Sequence, residues 1–350
     1  MKTYVAIPAI LALVARAVSK KSLTPGGIAA AVATATAHAY HPWNLPFALL
    51  VIFFLAGTRA THVKERVKAS MTLKSTGSSG GEGPRNHIQV LANSLVASIL
   101  TVLHARQLYA RSERFLEQGN SYAGIPDPRN SLCYSWGGDV LVVGIIANYA
   151  AVAADTFSSE LGILSKSEPR LITSLGFRKV PRGTNGGVSL MGLAAGLFGS
   201  ILIVASAMMF LPSCTEETAQ VMGGGQAWTM EQRRIFMAFL VFCGFCGTLL
   251  DSILGGLFQR SVKDVRSGKI VEGDGGRRAL VSSDAPSNTA SAKEKGSTGV
   301  KTQTASRVVE SGWDLLDNND VNFLTAVTVS VGAMAAASWY WGIPMQDIWV

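Results

Sequence analysis

Residues 140–160 read VLVVGIIANYAAVAADTFSSE, an apolar stretch interrupted by Asn148 and ended by the carboxylate of Asp155. A helix needs roughly 17 to 25 predominantly apolar residues to cross a bilayer. A charged group within such a helix is costly unless it is solvated, paired or bound to a metal. We therefore predict a membrane helix here, with Asp155 lying where the helix leaves the lipid.

The rest of the chain repeats this pattern. It has 350 residues, of which 48% are hydrophobic and 15% charged, and its mean hydropathy is +0.28, which excludes an ordinary soluble domain. The apolar runs cover residues 4–18, 27–40, 45–57, 87–108, 140–154, 188–211, 235–256 and 321–341. They predict an all-α fold, a polytopic membrane helix bundle of about six to eight transmembrane segments. The whole of 1–350 would form one integral membrane domain. The second and third runs are short, so they either span with a tilt or form a re-entrant hairpin.

Charge gives this bundle a predicted orientation. The net charge is +8, but the Lys and Arg residues lie in short loops between apolar runs, which indicates membrane topology and argues against a nucleic-acid partner. Alternate threading places most of the 31 cations on one side, which we predict to be cytosolic. Both termini, Cys133 and Cys214 then lie on the other, oxidising side, where a disulfide is one option.

Loop composition and the amino terminus add three expectations. The Gly/Ser-rich stretch 75–83 is predicted to be a flexible cytosolic loop, and 273–306 a disordered cytosolic one. The first apolar run follows Met1 and Lys2 directly, and we expect it to be kept as a membrane segment. Because no Arg/Ser-rich amphipathic presequence precedes it, the predicted location is the endoplasmic reticulum or another endomembrane.

Polar motifs flank the apolar runs on the predicted cytosolic side. Arg85 and Asn86 open the fourth run, and Asn86, Gln89 and Asn93 follow at helical spacing, forming one polar stripe. Ligand contact and interhelical hydrogen bonding explain this stripe equally well.

Acidic groups end or begin three other runs. Asp155 and Glu160 follow the fifth run, and Asp251 lies close to the cytosolic end of the seventh. The eighth opens with the acidic and amide residues of 317–322, which include Asn319 and Asn322. Helix capping explains one or two residues of that last group, but not all of them.

A basic, glycine-rich loop separates the fifth and sixth runs. It contains Lys166, Arg170 and Arg182, and then the turn Gly183, Thr184, Asn185, Gly186 and Gly187 just before a helix. Backbone N–H groups at such a turn suit phosphate, although an ordinary turn is the alternative and the order of a Walker A loop is missing. Carboxylates, amides, cations and a glycine turn on one side together predict a magnesium-nucleotide site.

At these residues the sequence resembles the transmembrane protein 19 family, also called the domain of unknown function 92 family. The matching stretches include Arg85-Asn86, Ala154-Asp155-Thr156 with Ser159-Glu160, Leu164 to Ser167, Gly183 to Gly187, Leu250-Asp251-Ser252, and Leu316 to Asn319 with Val321-Asn322. The resemblance covers about residues 4–341. Arg59 and His62 depart from it, because Lys is expected at both positions.

The resemblance implies an all-helical integral membrane protein, and the plant members of the family act as phytyl-phosphate kinases. On that hypothesis Asp155, Glu160 and Asp251, with Asn319 or Asn322, would hold Mg²⁺. The turn 183–187, with Lys166, Arg170 and Arg182, would bind the phosphates of a nucleoside triphosphate. An isoprenoid monophosphate would present its phosphate beside Arg85 and Asn86, with Asn93 on the same stripe. The alternatives are a transporter or lipid-binding protein, or a purely structural role for the motifs.

Overall fold

The computed structural model describes residues 3–76, 78–80, 83–118, 127–273 and 307–349. Most of these residues are helical. The helices are α1 (Thr3–Ser19), α2 (Pro25–Tyr40), α3 (Leu45–His62), the short α4 (Glu65–Ala69), α5 (His87–Gln118), α6 (Val140–Gly162), α7 (Leu190–Phe210), α8 (Met230–Phe258) and α9 (Asn318–Trp341). Six of them, α3 and α5 to α9, are long and apolar enough to cross a membrane. The predicted polytopic helix bundle is confirmed.

Helix α6, which begins with the stretch quoted above, lies at the centre of the bundle. Every residue from Val140 to Ala154 is buried, and α6 packs against α3, α5, α7, α8 and α9. Small residues permit this close packing, since a Cβ added at Gly247 would lie 2.5 Å from the Cβ of Ala151. The apolar character of α6 is therefore satisfied by protein contacts rather than by lipid.

Connections between helices define two ends of the bundle. At one end, the Thr24 N–H donates to the Arg85 carbonyl over 3.0 Å, so α2 and α5 begin together. We call this the polar end, because Asp155 and Asp251 also lie there. At the other, the disulfide end, Cys133 and Cys214 form the bond that the sequence left open, and it joins the α5–α6 and α7–α8 connections.

The short helices α2 and α3 reach from the polar end to the disulfide end. Tyr40, the last residue of α2, accepts through its carbonyl from the Tyr109 hydroxyl over 3.0 Å. On α5, His87 and Tyr109 are separated by about 33 Å at 1.5 Å per residue. This length is close to the thickness of a bilayer's hydrocarbon core, roughly 30 Å, so the structure favours spanning over re-entry.

Two small sheets lie in the connections at the polar end. The strands are β1 (Leu73–Lys74), β2 (Arg170–Leu171), β3 (Gly187–Val188), β4 (Ser261–Asp264), β5 (Ile270–Glu272) and β6 (Arg307–Ser311). One sheet has the order β1-β5-β4-β6, with β1 parallel to β5 and the other pairs antiparallel, and β2 pairs antiparallel with β3. The sequence predicted no strands, because runs of two to five residues give no readable alternation.

The two predicted loops fall only partly within the described residues. Residues 75, 76, 78–80 and 83 are described, and the Gly80 N–H donates to the Thr72 carbonyl over 3.0 Å, which folds this stretch back beside β1. Of the predicted loop 273–306, Gly273 is described and 274–306 lie outside the described residues.

Candidate functional site

A cavity of about 790 Å³ opens among the helix ends at the polar end. Residues of all nine described helices line it, together with residues of the four-stranded sheet. The predicted residues that line it are Arg85, Asn93, Asp155, Glu160, Arg182, Gly183, Thr184, Asn185, Gly186, Gly187, Asp251, Asn319 and Asn322. Motifs that are distant in the chain therefore meet in one cavity.

Three of the predicted residues do not line the cavity. Asn86 begins α5 with a reciprocal cap, in which its Oδ1 accepts from the Gln89 N–H over 3.0 Å and Gln89 Oε1 accepts in return over 2.9 Å. Arg170 donates to the Phe177 carbonyl over 3.0 Å, and Lys166 is exposed. These contacts explain Asn86 and Arg170 through local structure.

An acidic pair lies where α6 and α8 meet in the cavity. The carboxyl groups of Asp155 and Asp251 are in hydrogen-bonding contact. With its amide oriented to satisfy both of its polar atoms, Asn322 donates to Asp251 Oδ2 over 3.2 Å and to the Asn318 carbonyl over 3.2 Å. Two carboxylates in contact repel each other unless a proton or a cation lies between them. This pair is therefore a candidate cation site in the cavity.

The first turn of α9 supplies a further oxygen atom. Asp317 caps this helix, since its Oδ1 accepts from the N–H groups of Asn319 and Asp320 over 2.7 and 3.0 Å, and Asp320 returns the contact. Capping thus accounts for the two aspartates, as the sequence suggested in part. Asn319 is buried, and its side-chain oxygen has no hydrogen-bond partner among the described residues. That oxygen is available to a ligand.

Glu160, the third predicted carboxylate, has a different partner. It forms a salt bridge with Lys68, whose Nζ also donates to the carbonyls of Ala60 and Thr61 over 3.2 and 2.6 Å. Lys68 thereby joins the carboxyl end of α3 to α6. The sequence did not single out Lys68, because several cations follow the third apolar run and their spacing favours none of them.

Within the described ranges, no three His, Cys, Asp or Glu side chains gather as a ready-made metal site. The predicted trio of Asp155, Glu160 and Asp251 therefore divides into an acidic pair and a salt-bridged glutamate. Mg²⁺ is usually held by one or two carboxylates together with substrate phosphates. The contacting pair and the unpartnered oxygen of Asn319 fit that donor set without Glu160.

The glycine turn 183–187 packs tightly against the end of α8. Gly186 has a φ of +75°, and a Cβ added there would lie 2.6 Å from the Cα of Gly256. Only glycine can adopt this positive φ readily and also allow this close approach to α8.

Most N–H groups of this turn already have acceptors. Thr184 donates to the Pro181 carbonyl over 3.2 Å, Asn185 to Ser261 Oγ over 2.9 Å, and Gly187 to the Thr184 carbonyl over 3.0 Å. At most the N–H groups of Gly183 and Gly186 remain for a phosphate. The turn therefore contributes chiefly shape to the cavity.

Positive charge also lines the cavity. Arg85 donates to Thr61 Oγ1 over 3.1 Å, and Arg182 donates to the Ser165 carbonyl over 2.8 Å while its buried Nε has no partner among the described residues. The helices α5, α7 and α9 all begin at this end, and a helix amino terminus carries partial positive charge. The cavity thus combines an acidic pair with positively charged groups that suit phosphate.

The comparisons with known proteins extend over much of the chain. Protein PGR of Arabidopsis thaliana is 31% identical over 286 residues, which cover 81% of this chain and 78% of PGR. An uncharacterized membrane protein of Methanocaldococcus jannaschii is 34% identical over 119 residues, 34% of this chain and 41% of that protein. Protein VTE6, chloroplastic, of Arabidopsis thaliana is 29% identical over 201 residues, 57% of this chain and 50% of VTE6. The matches thus span half or less of the last two relatives. No solved structure matches the chain.

The family match covers nearly the whole bundle. Residues 8–330 match the sequence model of a family described as integral membrane protein DUF92, from within α1 to within α9. This match confirms the resemblance drawn from the motifs, and it agrees with a multi-pass integral membrane protein. The chain belongs to the integral membrane protein DUF92 family.

Proposed function

We propose that this protein is an isoprenoid-phosphate kinase. It would transfer the terminal phosphoryl group of a nucleoside triphosphate to a prenyl- or phytyl-type monophosphate at the cytosolic membrane face. One observation carries the proposal: the acidic pair Asp155 and Asp251 lies in a cavity that also holds Arg85 and Arg182 and continues between apolar helices. Such a cavity suits a substrate with an anionic head and an apolar tail.

The acidic pair supplies the site for the metal. Asp155 and Asp251, with the Asn319 side-chain oxygen, would hold Mg²⁺, which when bound neutralises charge on the nucleotide phosphates. Glu160 would keep Lys68 in place between α3 and α6 rather than bind the metal.

The cations would position the two substrates. Arg182 would bind nucleotide phosphate oxygens, and Arg85 would bind the isoprenoid phosphate. An oxygen of that phosphate would form a bond to the terminal phosphorus of the nucleotide as the bond to the bridging oxygen breaks, which releases a nucleoside diphosphate. Alignment and charge neutralisation suffice for this transfer, so no covalent protein intermediate is required.

A labelled-nucleotide assay on detergent-purified protein, with a panel of prenyl and polyprenyl monophosphates, tests the proposal. We expect diphosphate product from the wild type. Asp155→Asn and Asp251→Asn should each lower the rate by about 100-fold or more, because they weaken charge stabilisation at the reacting phosphate, while the yield of folded protein is kept. Asp127→Asn, at the disulfide end, is the control and should keep its activity. Wild-type protein that binds no nucleotide and forms no diphosphate would refute the kinase.

A flux measurement in liposomes separates the kinase from a transporter or lipid-binding protein. Flux of an isoprenoid phosphate across liposomes without nucleotide consumption would favour the transporter. Transporters are expected to hold substrate near the midplane on broken helices, whereas the acidic pair here lies near helix ends.

The organelle belongs to the proposal as well. Location in the endoplasmic reticulum or another endomembrane stays a prediction. The comparisons give it no support, since the relative VTE6 is named as a chloroplastic protein.

A further inference from the structure

The cavity has an apolar arm that the phosphoryl-transfer chemistry does not use. It extends from the acidic pair to the space between α1, α2 and α3, where Val14, Ala31, Val32, Leu50 and Phe53 line it. These apolar side chains offer neither charge nor a hydrogen-bond donor to a nucleotide phosphate. Apolar walls that continue directly from a charged chamber instead suit one amphipathic ligand that occupies both.

The arm reaches about halfway into the membrane. Helix α2 begins at Pro25, beside Arg85, and its deepest lining residue is Ala35, about 15 Å further along the helix. The hydrocarbon core of a bilayer is roughly 30 Å thick, so the arm ends near the midplane. A ligand in it would lie within the leaflet that faces the polar end.

Buried contacts close the deep end of the arm. Thr34 and Ser94, both lining residues, lie 3.2 Å apart through their hydroxyl oxygens. One turn beyond Thr34, His38 is fully buried and its Nε2 lies 2.7 Å from the Tyr149 hydroxyl. Phe53 contacts the same tyrosine, with ring centroids 6.0 Å apart. The arm is therefore a blind slot with a fixed floor.

The side of the arm faces lipid. Helices α1 and α3 both line the arm. Among the described helices, α1 packs chiefly against α2 and makes at most marginal contact with α3. The outer surface of α1 is apolar and exposed, as at Leu11, which is 63% exposed. A chain dissolved in the bilayer can therefore enter sideways between α1 and α3 without crossing the polar end.

Arg85 lies where the arm meets the charged chamber. Its carbonyl accepts from Thr24 at the start of α2, and its guanidinium donates to Thr61 on α3, so it is fixed to two walls of the arm. Near the acidic pair, Thr156 approaches α3 closely, since a Cβ added at Gly57 would lie 3.6 Å from its methyl group. An isoprenoid monophosphate bound to Arg85 through its phosphate would thus have its tail in the arm and its headgroup in the cavity that Asp155 also lines.

We propose that the arm is the binding slot for the isoprenoid tail, that the tail enters from the bilayer between α1 and α3, and that the floor at Phe53, His38 and Tyr149 limits its length. The inference rests on the proposed kinase activity for the identity of the headgroup. The slot itself rests on the shape and apolar lining of the arm.

A matched pair of substitutions on α2 tests the slot. Ala31 lines the arm and Ala33, two residues later, is exposed and does not. We expect Ala31→Trp to lower kcat/KM for phytyl monophosphate by at least about tenfold, because the ring fills the slot, and to spare isopentenyl monophosphate, whose tail is too short to need it. Ala33→Trp should leave both substrates unchanged. An Ala31→Trp protein with an unaltered preference between the two substrates would overturn the slot.

A second measurement is independent of catalysis and of any variant. Wild-type protein is irradiated with a phytol analogue that carries a diazirine at the end of its tail, and the labelled peptides are mapped by mass spectrometry. We expect labels on α2 and α3 close to Phe53. Labels confined to lipid-exposed positions such as Leu11 would overturn the slot. Labels near Phe53 in a protein that phosphorylates nothing would keep the slot and refute the kinase.

Discussion

His41 and His104 belong to a buried hydrogen-bonded chain at the disulfide end. The Trp43 N–H donates to His41 Nδ1 over 3.0 Å, His41 Nε2 lies 2.8 Å from His104 Nδ1, and His104 Nε2 lies 3.1 Å from Asp139 Oδ2. Arg111 donates to the same carboxylate over 2.8 Å. In this arrangement His41 Nε2 donates to His104 Nδ1, so a further proton on His41 Nδ1 would exclude the hydrogen bond from the Trp43 N–H.

The free energy of unfolding should therefore fall in acid. Burial, and secondly the nearby His104, lower the pKa of His41 from 6.5 to about 2. The folded state then binds fewer protons than the unfolded state below pH 6.5, so this stability is present above that pH and is lost progressively as the pH falls. Burial would raise the pKa of Asp139, but Arg111 and His104 outweigh burial and hold this pKa at about 2. The stability that Asp139 contributes is therefore lost only as the pH falls below 3.8.

Thermal unfolding in detergent from about pH 8 to about pH 5 measures this effect. We expect the melting temperature to fall across that range, and His41→Gln to make the fall shallower. The control is His87→Gln, at the exposed start of α5, which should keep the wild-type slope. A slope that His41→Gln leaves unchanged would contradict the role given to this histidine.

For single residues, the sequence predicted which side chains line the cavity better than it predicted their hydrogen-bond and salt-bridge partners. Carboxylates and amides at membrane helix ends predict site roles for Asp155, Asp251 and Asn319, and all three line the cavity. The pairing of Glu160 with Lys68 depends on how α4 folds against α6, which no local spacing encodes. The polar stripe predicts a site role for Asn86, but the Asn86 side chain caps its own helix.

The packing of the glycine turn against α8 predicts the effect of a single substitution. Gly186→Ala should destabilise the protein by about 2 kcal/mol and lower phosphoryl transfer, because its Cβ would collide with α8 and its φ is positive. Gly176→Ala is the matched control, since a Cβ there meets nothing within 4 Å. Thermal unfolding and the labelled-nucleotide assay measure both effects. Equal behaviour of the two variants would show that the turn is not packed as described.

Helices were predictable and strands were not. The apolar run 27–40 corresponds to α2 (Pro25–Tyr40), and 321–341 to α9 (Asn318–Trp341), because hydropathy marks the part of a helix that lies in lipid. The run 87–108 stops well before α5 ends at Gln118, since its last turns are polar and extend beyond the lipid. The strands at the polar end are held by pairing between distant loops, so hydropathy gave no sign of them.

At the scale of the whole molecule, the disulfide should stabilise the fold. Cys133 and Cys214 are 81 residues apart and join two connections at the same end. Cys133→Ser should lower the free energy of unfolding by about 2–4 kcal/mol. Cys243→Ser, which removes an unbonded cysteine of α8, is the control. A peptide joining Cys133 to Cys214 should also be recovered from a non-reduced digest, and two free thiols there would contradict the assignment.

The convergence of the motifs could be predicted only in outline. Alternate threading placed the acidic, amide and glycine motifs on one side, because each crossing reverses the chain and cations mark the cytosolic loops. The contact between Asp155 and Asp251, and the arm between α1 and α3, depend on how helices pack sideways. Hydropathy carries no information on that packing.

Thiol accessibility in sealed vesicles decides whether these motifs open on one side of the membrane. In a protein that carries Cys243→Ser and Cys246→Ser, single probes Lys20→Cys, Lys166→Cys and Asp320→Cys report on the polar end, and Arg129→Cys and Glu231→Cys on the disulfide end. An impermeant thiol reagent should label the first three from one side and the last two only from the other. Labelling that divides Lys166→Cys from Asp320→Cys would contradict the shared cavity.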